Sequence, residues 1–194
     1  MKIAILGGTF DPPHLGHLIL ADTVITNCDY DNAVFIPAKI PPHKKISNEA
    51  SNQDRLNMLK LSIEYDERFL LDEYELNNNE VSYTINTLNY LYENYKNIEG
   101  KIGLIIGADL IRDFHKWREA EKISEISNII AVNREDNDNL YKDNIEKYNI
   151  KVIISPRIDI SSSIIRKRIK EKNGFRYFVK KKVYDYIVEK KLYL

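Results

Sequence analysis

The sequence predicts an α/β protein: a doubly wound, mostly parallel Rossmann-like sheet with helices on both faces and a helical C-terminal segment. Three observations predict it. Short β-branched apolar runs alternate with segments whose apolar residues recur at three- and four-residue spacing. Most runs are apolar at successive positions, as in strands covered on both faces, and do not alternate as half-exposed strands do. A glycine turn, Gly7–Gly8, ends the first run, and in such sheets ligands bind beyond the carboxyl ends of the strands.

In chain order, KIAIL at 2–6 predicts the first strand and LGHLILADTVI a helix starting around His14 to Leu18. AVFIP at 33–37 is the second strand, DRLNMLKLSIEY the next helix, and RFLLDEYEL at 68–76 a further strand. YTINTLNYLYENY is helical, and KIGLIIG at 101–107, NIIAV at 128–132 and KVIIS at 151–155 complete the strands. PAKIPPHKK at 37–45, NNNE at 77–80 and the polar stretch at 133–144 predict loops, the last a solvated excursion. From Ser161 two helices are expected, SSSIIRKRIKEK and YFVKKKVYDYIVEKK, separated by a stop at Asn173 and Gly174. One domain is expected over 1–194, with its helical part at about 161–194.

At 194 residues and 43% hydrophobic content the chain can bury a core, and 30% charged residues at a net charge of zero describe an ordinary soluble surface. A neutral balance gives no global attraction to nucleic acid or to anionic membranes, so neither is expected as a partner and any polyanion site must be local. Cys28 is the only cysteine. That excludes an internal disulfide framework and a cysteine zinc cluster, and fits a cytoplasmic setting. No stretch approaches the ~20 apolar residues that cross a bilayer.

Chemistry concentrates in GGTFDPPHLGHL at 7–18. Gly7 and Gly8 leave the strand end open to a close ligand. The helix that follows presents unpaired N–H groups and partial positive charge, which suit phosphate. His14 and His17, three apart, share a face of its first turn. No dinucleotide-binding G-x-G-x-x-G and no P-loop are present. The histidines could simply cap and pack the helix, or bind metal with His43, His115 or Cys28, but those are scattered without ligand spacing, so no metal ligands are expected. Of nine basic residues between Arg166 and Lys182, most of the lysines are expected on solvated helix faces and Arg166 is exempt; Arg55 could bind a phosphate, but a structural ion pair is the expectation.

GGTFDPPHLGH resembles the nucleotidylyltransferase superfamily signature, and ISSSIIRKRI at 160–169 resembles its second half. PPHK at 41–44, VSYTINTL at 81–88, GADL at 107–110 and Trp117 are similar, in order and spacing, to bacterial nicotinate-nucleotide adenylyltransferases. The resemblance implies transfer of AMP from ATP to nicotinate mononucleotide, giving deamido-NAD and pyrophosphate, with Mg2+ as cofactor. It implies catalytic roles for His14, His17, Lys44 and Arg166, and ATP contacts also from Gly7, Gly8, Thr9, Phe10, Gly107, Asp109, Ser162 and Ser163. The mononucleotide would meet Thr9, Lys44, Thr84, Asp109 and Trp117. The family usually has another residue at Pro13, Ser163 and Asn86. Self-association is left open.

The residues support that chemistry independently. An ionised phosphate needs no base to attack the α-phosphorus of ATP, so catalysis reduces to positioning two anions and neutralising charge. Ser161–Ser163 stand where N-caps belong, so a second helix also aims its N-terminus at phosphate. Thr84 at a helix start suits a carboxylate, and Trp117, the sole tryptophan, suits a flat ring. Two other readings stay open. One is a related transferase acting on nicotinamide mononucleotide, phosphopantetheine or glycerol 3-phosphate; the other is a nucleotide sensor without catalysis.

Overall fold

The structure, a computed structural model, describes residues 1–42, 50–133, 141–156 and 158–194. Six parallel strands form one sheet in the order β3-β2-β1-β4-β5-β6. They are β1 (Ile3–Gly8), β2 (Asn32–Pro37), β3 (Phe69–Leu71), β4 (Ile102–Gly107), β5 (Ser127–Asn133) and β6 (Lys151–Ile154). The chain winds outward from β1 to β3, then returns to start again at β4 beside β1. The order therefore reverses between β1 and β4, and a crevice opens there at the strands' carboxyl ends.

Strand parity divides the core. Ile3, Ile5, Val34, Ile36, Leu104, Ile106, Ile129 and Ala131 pack on one face against Ile85, Leu88 and Leu91 of α4 (Thr84–Asn94) and Ile123 of α5 (Ala120–Ile126). Ala4, Leu6, Ala33, Phe35, Ile105, Ile130 and Val132 face the other way, against α1 (Leu15–Cys28) and α2 (Asn52–Ile63). A third cluster joins Met58 of α2 to α7 (Ser162–Lys170) and α8 (Lys181–Glu189). The C-terminal helices thus lean on α2, and this brings the start of α7 toward the end of β1.

Five local readings need correction. β3 stops at Leu71, because Asp72 accepts the Tyr74 N–H at 2.8 Å and turns the chain into a short helix, α3 (Tyr74–Asn77), where a strand to Leu76 was expected. α5 lies in a segment given no helix above; its buried Ala120 and Ile123 supply the apolar side. The polar stretch at 133–144 contains the first turn of α6 (Lys142–Lys147), anchored where Asn144 Nδ2 donates to the Ile111 carbonyl at 2.8 Å. α7 ends without help from Gly174: Lys172 takes the left-handed conformation, its N–H bonds Ile169 O and that of Asn173 bonds Arg168 O, a Schellman pair. Finally α8 begins only at Lys181, after a 3-10 turn at Arg176–Phe178 and an extended, buried Val179.

Candidate active site

Beyond Gly8 the chain passes through Thr9–Pro13 to α1. A Cβ at Gly8 would sit 3.2 Å from the Phe10 ring, so glycine is what allows that ring to fold beneath the turn. Phe10 has φ 49°, and its ring lies in the core, edge-on to His17 at 4.9 Å and 5.9 Å from Phe35. Such backbone strain persists where packing over-determines it. The Phe10 ring is therefore part of the core, which leaves its main chain to line the turn.

His14 is the N-cap of α1, and its N–H donates to His17 Nδ1 at 3.2 Å. An accepting Nδ1 assigns the His17 proton to Nε2, the ring's far edge. The imidazoles stack with centroids 3.7 Å apart and planes 24° apart, so both do occupy one face of the first turn. Gly16 permits this arrangement, since a Cβ there would approach His14 Nδ1 to 3.0 Å.

The start of α7 meets the same loop. Ser161 caps it, accepting the Ile164 N–H at 3.2 Å. Arg166 Nη1 donates to Asp11 O at 2.6 Å, and Ser162 Oγ donates to Pro12 O at 2.8 Å. The start of α7 is thus fastened to two adjacent residues of the loop that leads into α1, about 150 positions earlier in sequence. The Ser162 hydroxyl is engaged by the loop. Ser163 Oγ stands 3.5 Å from Arg166 Nη2.

On the other side of the β1 end lies a cleft of about 200 Å3, into which Gly7, Gly8, Thr9, Thr84 and Trp117 all project. Tyr83 is the N-cap of α4, so Thr84 is its first residue. Trp117 leans on Phe114, centroids 5.0 Å apart, leaving the indole at the wall. At the β4 end Asp109 folds back until its Oδ1 would be 2.5 Å from a Cβ at Gly107. Gly107, Asp109, His14, His17 and Arg166 are not part of the cleft lining. Lys44 and His43 lie outside the described residues.

Three features were not legible beforehand. Arg118 lines the cleft with its guanidinium 4.8 Å above the Tyr83 ring, the only cation in that lining among the described residues. Glu75 is buried in the same wall, accepts from Thr87 Oγ1 at 2.6 Å, and burial raises its pKa although that bond opposes the rise. Arg55 is fully buried and makes no described ion pair: it donates to the carbonyls of Thr9 and Ala38 and to Asn52 Oδ1. The expected ion pair is thus replaced by a clamp across the β1 and β2 loops. One-residue signals existed for none of these, because each depends on which loop lands opposite.

The sheet reversal, the glycine turn and the paired histidines define a nucleotidyltransferase, and a model of the cytidylyltransferase-like family matches residues 5–168. A relative from Caldicellulosiruptor saccharolyticus is 42% identical over 199 residues, covering 100% of this chain and 99% of its own. One from Bacillus licheniformis is 36% identical over 99% of this chain and 98% of its own; both are named "Probable nicotinate-nucleotide adenylyltransferase". The chain belongs to the nicotinate-nucleotide adenylyltransferase family. In fold it resembles Plasmodium falciparum nicotinic acid mononucleotide adenylyltransferase complexed with NaAD, at TM-score 0.79 and 24% identity over 99% of this chain and 97% of that one. Among the described residues no helix is long and apolar enough to cross a membrane.

Proposed function

We propose that this chain transfers AMP from ATP to nicotinate mononucleotide, forming deamido-NAD and pyrophosphate in NAD biosynthesis, in the cytoplasm. The observation that carries the reading is the meeting of the α1 and α7 N-termini over Asp11 and Pro12, beside a cleft that ends at the start of α4. The first suits a triphosphate, the second a flat ring bearing a carboxylate.

An oxygen of the mononucleotide phosphate attacks the α-phosphorus, the bond to the β-phosphate bridging oxygen breaks, and pyrophosphate carries away that electron pair. The nucleophile is already ionised, so no protein base is required. The His17 Nε2–H, His14, Arg166 and the N–H groups opening α1 and α7 neutralise the triphosphate as charge moves to the leaving group. Lys44 is assigned to the same charge balance from its motif. Asp109 is assigned to the nucleotide. Thr84, at the positive end of α4, takes the nicotinate carboxylate, and Trp117 the ring.

Mg2+ would accompany ATP. Such an ion is held chiefly by the phosphate oxygens and water; among the described residues no group of three His, Cys, Asp or Glu stands ready to hold one without the nucleotide.

Pyrophosphate release with ATP and each acceptor in turn tests the reading. Release with nicotinate mononucleotide, weaker release with nicotinamide mononucleotide and none with phosphopantetheine are expected. Release with phosphopantetheine alone indicates another transferase; ATP binding without release for any acceptor indicates a sensor.

A further inference from the structure

Tyr193, one residue from the C-terminus, is buried beneath the loop that precedes α1, and its hydroxyl donates to Asp11 Oδ1 at 2.6 Å. Asp11 is itself buried, and its backbone carbonyl is the group held by Arg166. The last turn is bent into place: Lys191 and Tyr193 both take left-handed φ, 53° and 65°. The Tyr193 ring sits in the apolar cluster of α7 and α8, with Ile165 and Val183. α8 is in turn fixed to α2, where Tyr186 donates to Asp54 Oδ1 at 2.9 Å and accepts from Asn57 Nδ2 at 3.0 Å. α2 carries Arg55, which holds Thr9 O.

Resting on the activity proposed above, we infer that Tyr193 is a positioning residue for the transfer: the C-terminal strap holds Asp11 so that the Thr9–His14 segment keeps its phosphate-receiving shape. Four side chains from three remote regions fasten this short loop: Arg55 at Thr9, Tyr193 and Arg166 at Asp11, and Ser162 at Pro12. Arg166 and the α7 start also face the proposed triphosphate, so their hold on the loop is shared with ligand. Tyr193 and Arg55 hold it from beneath, independent of ligand. Burial, then the Asp11 charge, drives the Tyr193 pKa far upward, so the phenol retains the proton it donates.

Tyr193→Phe keeps the ring and removes the donor. At saturating ATP and nicotinate mononucleotide, well below its melting midpoint, kcat is expected to fall at least tenfold, with circular dichroism unchanged. Asp11→Asn/Tyr193→Phe removes the charge that needs the phenol and keeps the test open if the single variant is unstable. The double variant should recover stability but not kcat. A kcat within twofold of the parent in Tyr193→Phe, or kcat returning with stability in the double variant, overturns the inference. A parent that releases no pyrophosphate overturns the proposed activity instead.

Discussion

Arg118 shows what single side chains add to the cleft. Its guanidinium rests on Tyr83, one residue before Thr84, and is paired only loosely with Glu119, 3.9 Å away. A cation beside the α4 start favours an acid over an amide, and a charged hydrogen bond contributes about 1.5–3 kcal/mol. Arg118→Gln is therefore expected to lower the kcat/KM preference for nicotinate over nicotinamide mononucleotide about tenfold, which corresponds to about 1.4 kcal/mol. An unchanged ratio would remove Arg118 from specificity. Glu75 makes a second prediction, in stability. Its folded pKa is raised by burial, so above the ordinary glutamate value of about 4.3 the folded protein holds a proton that the unfolded chain has released. Stability then falls as pH rises through that window. Glu75→Gln, neutral throughout, should lose this slope: the urea midpoints of variant and parent converge near pH 4, and the variant is the more stable at pH 7.5. A variant less stable than its parent at pH 7.5 would mean that Glu75 is ionised and needed so.

Elements were legible where periodicity was long and unbroken. Five of the six strands and the helices α1, α2, α4 and α7 lie where apolar spacing puts them, because a buried strand or an amphipathic helix imposes its period on every residue, whereas β3 stops short at Leu71 and α8 starts late. The short elements escaped notice for a common reason. α3, α5 and α6 contain four, seven and six residues, too few to display a period; α3 is started by the local Asp72 turn, itself held by Tyr95, and α6 by the tertiary anchor from Asn144 to Ile111. The α7 stop followed the same logic: Asn173–Gly174 had the right composition, but the backbone bonds put the left-handed residue one position earlier, at Lys172.

At the scale of the whole molecule, the candidate site was half legible. Motifs located the glycine turn, the histidine pair and the second helix start, because phosphate binding at helix ends restricts residue type locally. What joins them was invisible: Arg55, Asp11 and Tyr193 make sense only once α2, α8 and the C-terminus lie against the β1 loop. The fold's contribution is to place two helix beginnings and a C-terminal strap around one short segment. Titration calorimetry with ATP, in the absence of acceptor, tests this most directly. His17→Ala and Arg166→Ala are each expected to weaken ATP binding at least tenfold and to cut turnover about a hundredfold, the loss typical of one removed transition-state donor, while both remain folded. If either variant binds ATP as the parent does and turns over normally, the two helix starts do not share a triphosphate.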